Sequence, residues 1–80
     1  MDVTVYTPAE DCVACRQTKR RLDKLGISFS EVVADDERAA ALRSDGFRAW
    51  PVVMVSMEGA SWSWSGYRHD DITRLAGLFR

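Results

Sequence analysis

The only two cysteines of this 80-residue chain, Cys12 and Cys15, are separated by Val13 and Ala14 alone. Spacing of i and i+3 at a helix start brings two thiols within disulfide reach. Backbone N–H groups at a helix N-terminus have no intrahelical partner and stabilise a thiolate placed there. Cys12 would occupy that cap, so it is the more thiolate-like sulfur. Arg16 adds positive charge nearby, while Glu10 and Asp11 oppose it. The chemistry that suits such a pair is thiol–disulfide exchange. Cys12 attacks a substrate disulfide; Cys15 then attacks Cys12, releases the reduced substrate and leaves a Cys12–Cys15 bridge. A second protein must reopen that bridge for turnover.

Three other uses of the pair compete at this stage. A purely structural bridge closing so short a loop restrains the unfolded chain by only about 2 kcal/mol. A zinc site takes about four ligands, and the chain offers two cysteines and one histidine, His69. Zinc shared between chains, or two inert core thiols, complete the set. What favours exchange is context. A CxxC opening a helix directly after a strand, inside a β-α-β unit, is far more specific than the four-residue pattern alone.

The elements that must supply this context are legible. Val3 to Tyr6 is β-branched or aromatic and predicts a strand, ended by Pro8. A helix follows from about Val13 to Leu25, with Ala14, Thr18, Leu22 and Leu25 on one face and Gly26 as its stop. Ile27 to Val33 predicts a second strand. Asp35 and Asp36 offer an N-cap to a helix over Glu37–Arg43, closed by Gly46. Pro51 opens a third strand over Val52–Val55. Met57 to Ala60 reads as a hairpin turn, and Ser61 to Ser65 as the returning strand. Asp70 and Asp71 start a last helix whose apolar stripe is Ile72, Leu75, Ala76 and Phe79. The order β-α-β-α-β-β-α belongs to the α/β class.

Composition narrows the function. With 46% hydrophobic and 29% charged residues the chain is expected to fold, as one domain over residues 1–80. A formal net charge of −1 gives none of the positive field that nucleic-acid binding requires. The longest apolar run, Val52 to Val55, is too short for a bilayer. No basic segment followed by an apolar one opens the sequence, so a cytoplasmic location, with no membrane partner, is expected. No nicotinamide-binding unit fits in 9.0 kDa, so electrons must arrive through another protein.

Outside the cysteines, several residues have two readings. An X-Pro bond at Trp50-Pro51 is trans by default and cis where a tight approach demands it. Trp62 and Trp64 project from one face of their strand. With Tyr67 they form either an apolar docking surface or core packing. Arg68 either holds the Gly66 loop or meets a partner carboxylate, and the structural role is favoured. Thr7 is a candidate hydrogen-bond partner for the cysteine sulfur. Arg16, Lys19, Arg20, Arg21 and Lys24 concentrate positive charge on the first helix, a solvated face by default.

These residues together resemble the thioredoxin superfamily and, more closely, its NrdH-type redoxins. The likeness runs through Tyr6-Thr7, Cys12-Val13-Ala14-Cys15 with Thr18-Lys19-Arg20, Asp45-Gly46-Phe47-Arg48 and Pro51-Val52-Val53. It ends in Trp64-Ser65-Gly66-Tyr67-Arg68, where ordinary glutaredoxins carry paired glycines and acids. The resemblance implies a glutaredoxin-type fold, a four-stranded mixed sheet flanked by three helices. It implies that Pro51 is cis and faces the cysteines, and that the backbone at Trp50 pairs with a substrate chain. Val13, Ala14, Trp62, Trp64, Ser65, Gly66, Tyr67 and Arg68 would shape the partner surface. It further implies a monomer with no bound cofactor or metal, reduced by thioredoxin reductase and serving class Ib ribonucleotide reductase. A glutaredoxin- or mycoredoxin-like protein reduced by a low-molecular-weight thiol is the alternative. A non-catalytic binding module with structural or metal-linked cysteines is a second. The chain departs from the family pattern at His69, where proline is usual, and at Pro8-Ala9-Glu10, where a lysine often stands.

Overall fold

The structure, a computed structural model, describes residues 2–78. Its elements are β1 (Asp2–Thr7), α1 (Val13–Lys24), β2 (Ser30–Val33), α2 (Asp36–Ser44), β3 (Val52–Met57), β4 (Ala60–Ser65) and α3 (His69–Leu78). The strands form one mixed sheet in the order β2-β1-β3-β4. β1 runs parallel to β2 and antiparallel to β3, and β3 is antiparallel to β4. This is the thioredoxin/glutaredoxin arrangement that the element order and the resemblance imply.

Side-chain alternation assigns the two faces. Val3, Val5, Val53, Val55 and Trp64 share one face by register and pack with Leu22, Ile27, Ile72 and Leu75. That face lies under α1 and α3. The opposite face carries Tyr6 and Val52, which pair across β1 and β3. There α2 covers the sheet, with Leu42 and Val52 buried and the Arg38 guanidinium 5.4 Å from the centre of the Tyr6 ring. A chain this short has little surface to bury, so both sheet faces must be used.

Caps fix the helix ends. Asp35 Oδ1 accepts the Arg38 N–H at 2.8 Å, so Asp35 is the N-cap of α2. At the end of α1, Gly26 N–H donates to the Asp23 carbonyl and Ile27 N–H to the Leu22 carbonyl. That pair of bonds is a Schellman motif, and Gly26 sits at its left-handed position, φ +74. The motif corrects two sequence expectations. Ile27 is buried against Leu22 as the motif's apolar closure, so it precedes the strand and does not begin it. Leu25, expected on the buried face, is the C-cap and is exposed; Cys15, Thr18 and Leu22 form the buried face instead. Ile72 and Leu75 of the last helix are buried as expected, while Phe79 lies outside the described residues.

Leu22 is fully buried between α1 and the sheet. Leu22→Ala should therefore cost about 3 kcal/mol in urea unfolding, with the slope of the transition unchanged. A loss below 1 kcal/mol would contradict this packing.

Candidate active site

β1 ends at Thr7, and residues 8–12 lead directly into α1. Cys12 is the N-cap, in extended backbone geometry at φ −145 and ψ 107. Its carbonyl accepts the Arg16 N–H at 3.2 Å. Its Sγ accepts the Cys15 N–H at 3.1 Å. The sulfur thus occupies the position that a serine or aspartate oxygen takes in an ordinary cap. Negative charge on Cys12 Sγ is favoured there by the hydrogen bond and by the helix dipole.

Cys12 and Cys15 are joined as a disulfide, with Cα atoms 5.2 Å apart. The two sulfurs differ in access. Cys12 is half-buried and beside the exposed Val13, whereas Cys15 is only 2% exposed on the inner face of α1. Thr18, one turn from Ala14, is fully buried, and its hydroxyl is satisfied there by donating to the Ala14 carbonyl at 2.8 Å. An approaching group therefore meets Cys12 first.

Charge around the pair is largely cancelled. Arg16 is ion-paired with Asp11. Lys19 Nζ meets Glu31 Oε2 at 2.7 Å. Both carboxylates and both cations border the cleft of about 280 Å³ that contains the two cysteines. Sequence reasoning missed Glu31. Its register opposite Val5, a core residue, was the available signal for a carboxylate turned toward α1. Thr7, expected to contact a sulfur, instead donates from Oγ1 to Glu31 Oε2 at 3.5 Å.

The same end of the sheet gathers the other segments. Tyr6 pairs with Val52, so Pro51 continues the register opposite Thr7, at the strand end from which the cysteine loop departs. The Trp50–Pro51 bond is cis, as the resemblance implies and against the default for an isolated X-Pro, and Pro51 is fully buried. The Pro51 carbonyl accepts the Gly66 N–H at 2.9 Å. Gly66 has φ +80, and a Cβ there would lie 3.5 Å from the Ala49 Cβ. The bond ties the Ser65–Arg68 segment to the cis-proline segment. Trp50 is half-buried and lines a cleft with Phe47 and Arg48 on the α2 side.

The remaining candidates separate. Tyr67 is exposed and lies along α1 near Gln17 and Arg21. Trp64 is 5% exposed, opposite Val53, so of its two readings core packing holds, and it does not join the partner surface that the resemblance implies. Trp62 is half-buried, 4.9 Å from Trp64 by ring centres and under the Arg74 guanidinium. It sits three residues from Ser65 along β4, about 10 Å from the cysteine end of the sheet. It therefore also packs as core edge. Arg68 serves α3: its carbonyl accepts the Ile72 N–H, and its Nε is 3.4 Å from Asp71 Oδ2. It does not brace the Gly66 loop by its side chain. His69 is the first residue of α3, with Nε2 3.3 Å from an Arg21 guanidinium nitrogen. Among the described residues, no cluster of three histidine, cysteine or acidic side chains could hold a metal ion. No described helix is long and apolar enough to cross a membrane.

Comparison with known proteins gives this geometry a family. Residues 3–59 match the glutaredoxin family. The glutaredoxin-like protein NrdH of Escherichia coli K12 is 44% identical over 77 residues, covering 94% of this chain and 89% of that one. The Salmonella typhimurium protein of the same name is 43% identical over the same length. The solved structure of the E. coli NrdH-redoxin, described as having a thioredoxin-like activity profile, superposes with a TM-score of 0.81 and covers 94% of this chain and 95% of its own. Thioredoxin f of spinach chloroplast, at 15% identity and a TM-score of 0.63, covers 96% of this chain and 75% of its own, and shares the fold. With its two cysteines bridged at the mouth of α1 and these relatives along nearly its whole length, the chain belongs to the glutaredoxin family as an NrdH-type redoxin, a thiol–disulfide oxidoreductase.

Proposed function

We propose that this redoxin, a cytoplasmic monomer of one domain, carries electrons from NADPH and thioredoxin reductase to a protein disulfide, that of class Ib ribonucleotide reductase. The carried equivalents are held in the Cys12–Cys15 pair with no bound cofactor. The observation that carries this reading is the pairing of both cations at the cysteine cleft, Arg16 with Asp11 and Lys19 with Glu31. A small anionic thiol such as glutathione finds no uncommitted cation among the described residues there, and Glu10 at the cleft repels its carboxylates. The thioredoxin-like profile of the E. coli relative agrees with it.

The half-reactions follow from the two sulfurs. In the reduced protein the Cys12 thiolate attacks one sulfur of the substrate disulfide. A Cys12–substrate bond forms, the substrate S–S bond breaks, and the first substrate sulfur leaves and takes a proton. Cys15 then loses its proton and attacks Cys12 Sγ. The Cys12–Cys15 bond forms and the second substrate sulfur departs as a thiol. The substrate gains two electrons, and the redoxin loses two. The backbone at Trp50, beside cis-Pro51, aligns the substrate chain for the first attack. Val13, Ala14, Ser65, Gly66 and Tyr67 form the rim it meets.

Two outcomes follow. Cys12→Ser should lower the rate of disulfide reduction by about a thousandfold or more. Cys15→Ser should still attack and should accumulate a mixed disulfide, visible by intact mass. A trapped adduct on Cys15 in the Cys12→Ser protein would reverse the assignment of the two sulfurs. In a coupled assay with insulin as acceptor, NADPH oxidation should be rapid with thioredoxin reductase and absent with glutathione and glutathione reductase. Turnover with glutathione alone would move the protein to the glutathione-dependent reading.

A further inference from the structure

One face of α1 is not used by exchange itself. Val13, Gln17, Arg20 and Lys24 fall within a narrow arc at helical spacing, with Arg21 beside them. This arc faces away from the buried side formed by Cys15, Thr18 and Leu22. It starts at the exposed Val13, next to the attacking sulfur, and extends for about 16 Å to Lys24. Arg20, Arg21 and Lys24 make no ion pair among the described residues, unlike Arg16 and Lys19. They line a cleft of about 240 Å³ with Gln17 and the exposed ring of Tyr67. The one acid of the helix, Asp23, lies off the arc.

Arg21 is held in place there. A guanidinium nitrogen lies 3.3 Å from His69 Nε2, and the Arg21 Nε is buried without a partner among the described residues. His69 thus holds a cation that lines the cleft. Clustered positive charge in a chain of net charge −1 is a local feature and not a consequence of overall composition.

We infer that this cleft is a docking track for an acidic segment of the protein substrate, an extended stretch of about five residues flanking the target disulfide. Acidic side chains meet Arg20, Arg21 and Lys24, an apolar or aromatic residue stacks on Tyr67, and the disulfide is delivered to Cys12 at the Val13 end. The inference rests on exchange at Cys12, and not on which reductase or client the protein uses.

The test uses two cyclic disulfide peptides, one with three glutamates on each side of the disulfide and one with glutamines instead. Each rate with the fully reduced redoxin is divided by that of the same peptide with dithiothreitol, which removes intrinsic differences in the disulfides. The acidic peptide should react about tenfold faster at low salt, and the preference should vanish near 0.5 M salt. The Arg20→Gln/Arg21→Gln/Lys24→Gln variant should lose the preference, and Arg43→Gln/Arg48→Gln, on the α2 side, should keep it. Equal normalised rates at low salt would overturn the track. So would equal loss in both variants, which would indicate the overall field. If dithiothreitol reduced both peptides and the redoxin reduced neither, exchange at Cys12 would itself fail, and the track with it.

Discussion

The hydrogen bond from the Cys15 N–H to Cys12 Sγ is the contact on which the rest of the site depends. It exists only because α1 begins at Cys12, and α1 begins there because β1 ends at Thr7 and the intervening loop is short. The two sulfurs consequently occupy different environments although they are three residues apart. One caps a helix at the surface, and the other lies inside the first turn, almost wholly buried. The proposed division of attack and resolution between them rests on this difference. With Arg16 tied to Asp11, the polarising group at Cys12 is the backbone itself, through the Cys15 N–H and the terminus of α1.

Holding α1 at that position is the work of the core. Thr18 and Leu22 seat the helix on the sheet, and the Schellman closure at Gly26 turns Ile27 back against Leu22. The antiparallel pairing of β3 with β1 then returns the chain to the cysteine end, so cis-Pro51 arrives opposite Thr7. β4 ends beside it, and the Gly66 bond to the Pro51 carbonyl locks the next loop in place. Three chain segments distant in sequence thus meet at one end of one small sheet. No residue in the middle of the sheet needs a chemical role.

The order of elements and the cysteine chemistry were readable because they rest on local signals. β-branched runs, helix stops at Gly26 and Gly46, and a CxxC between strand and helix need no tertiary information. The misreadings share a cause, which is that burial is decided across the sheet. Trp64 faces Val53 and closes the core, yet its strand alternates aromatic and serine in the way an exposed docking strand also would. Glu31 lies on an edge strand whose residues are all exposed, and only the register against Val5 turns it toward Lys19. For Arg68 the structural role favoured by the sequence is bracing of the glycine loop, whereas its side chain meets Asp71 in the following helix. The basic residues of α1 looked like one uniform patch. Their division into two paired cations at the cleft and three with no ion pair among the described residues depends on where Asp11 and Glu31 lie.

The most direct test of Cys12 as the helix-capped nucleophile is the pH dependence of alkylation in the fully reduced protein, with each modified cysteine identified by peptide mass. Cys12 should be alkylated by iodoacetamide well below the pH of about 8.5 at which an ordinary cysteine ionises, while Cys15 stays protected. Equal labelling of both cysteines along one curve centred near pH 8.5 would show that the α1 terminus does not distinguish them, and would contradict the division of roles on which the mechanism stands.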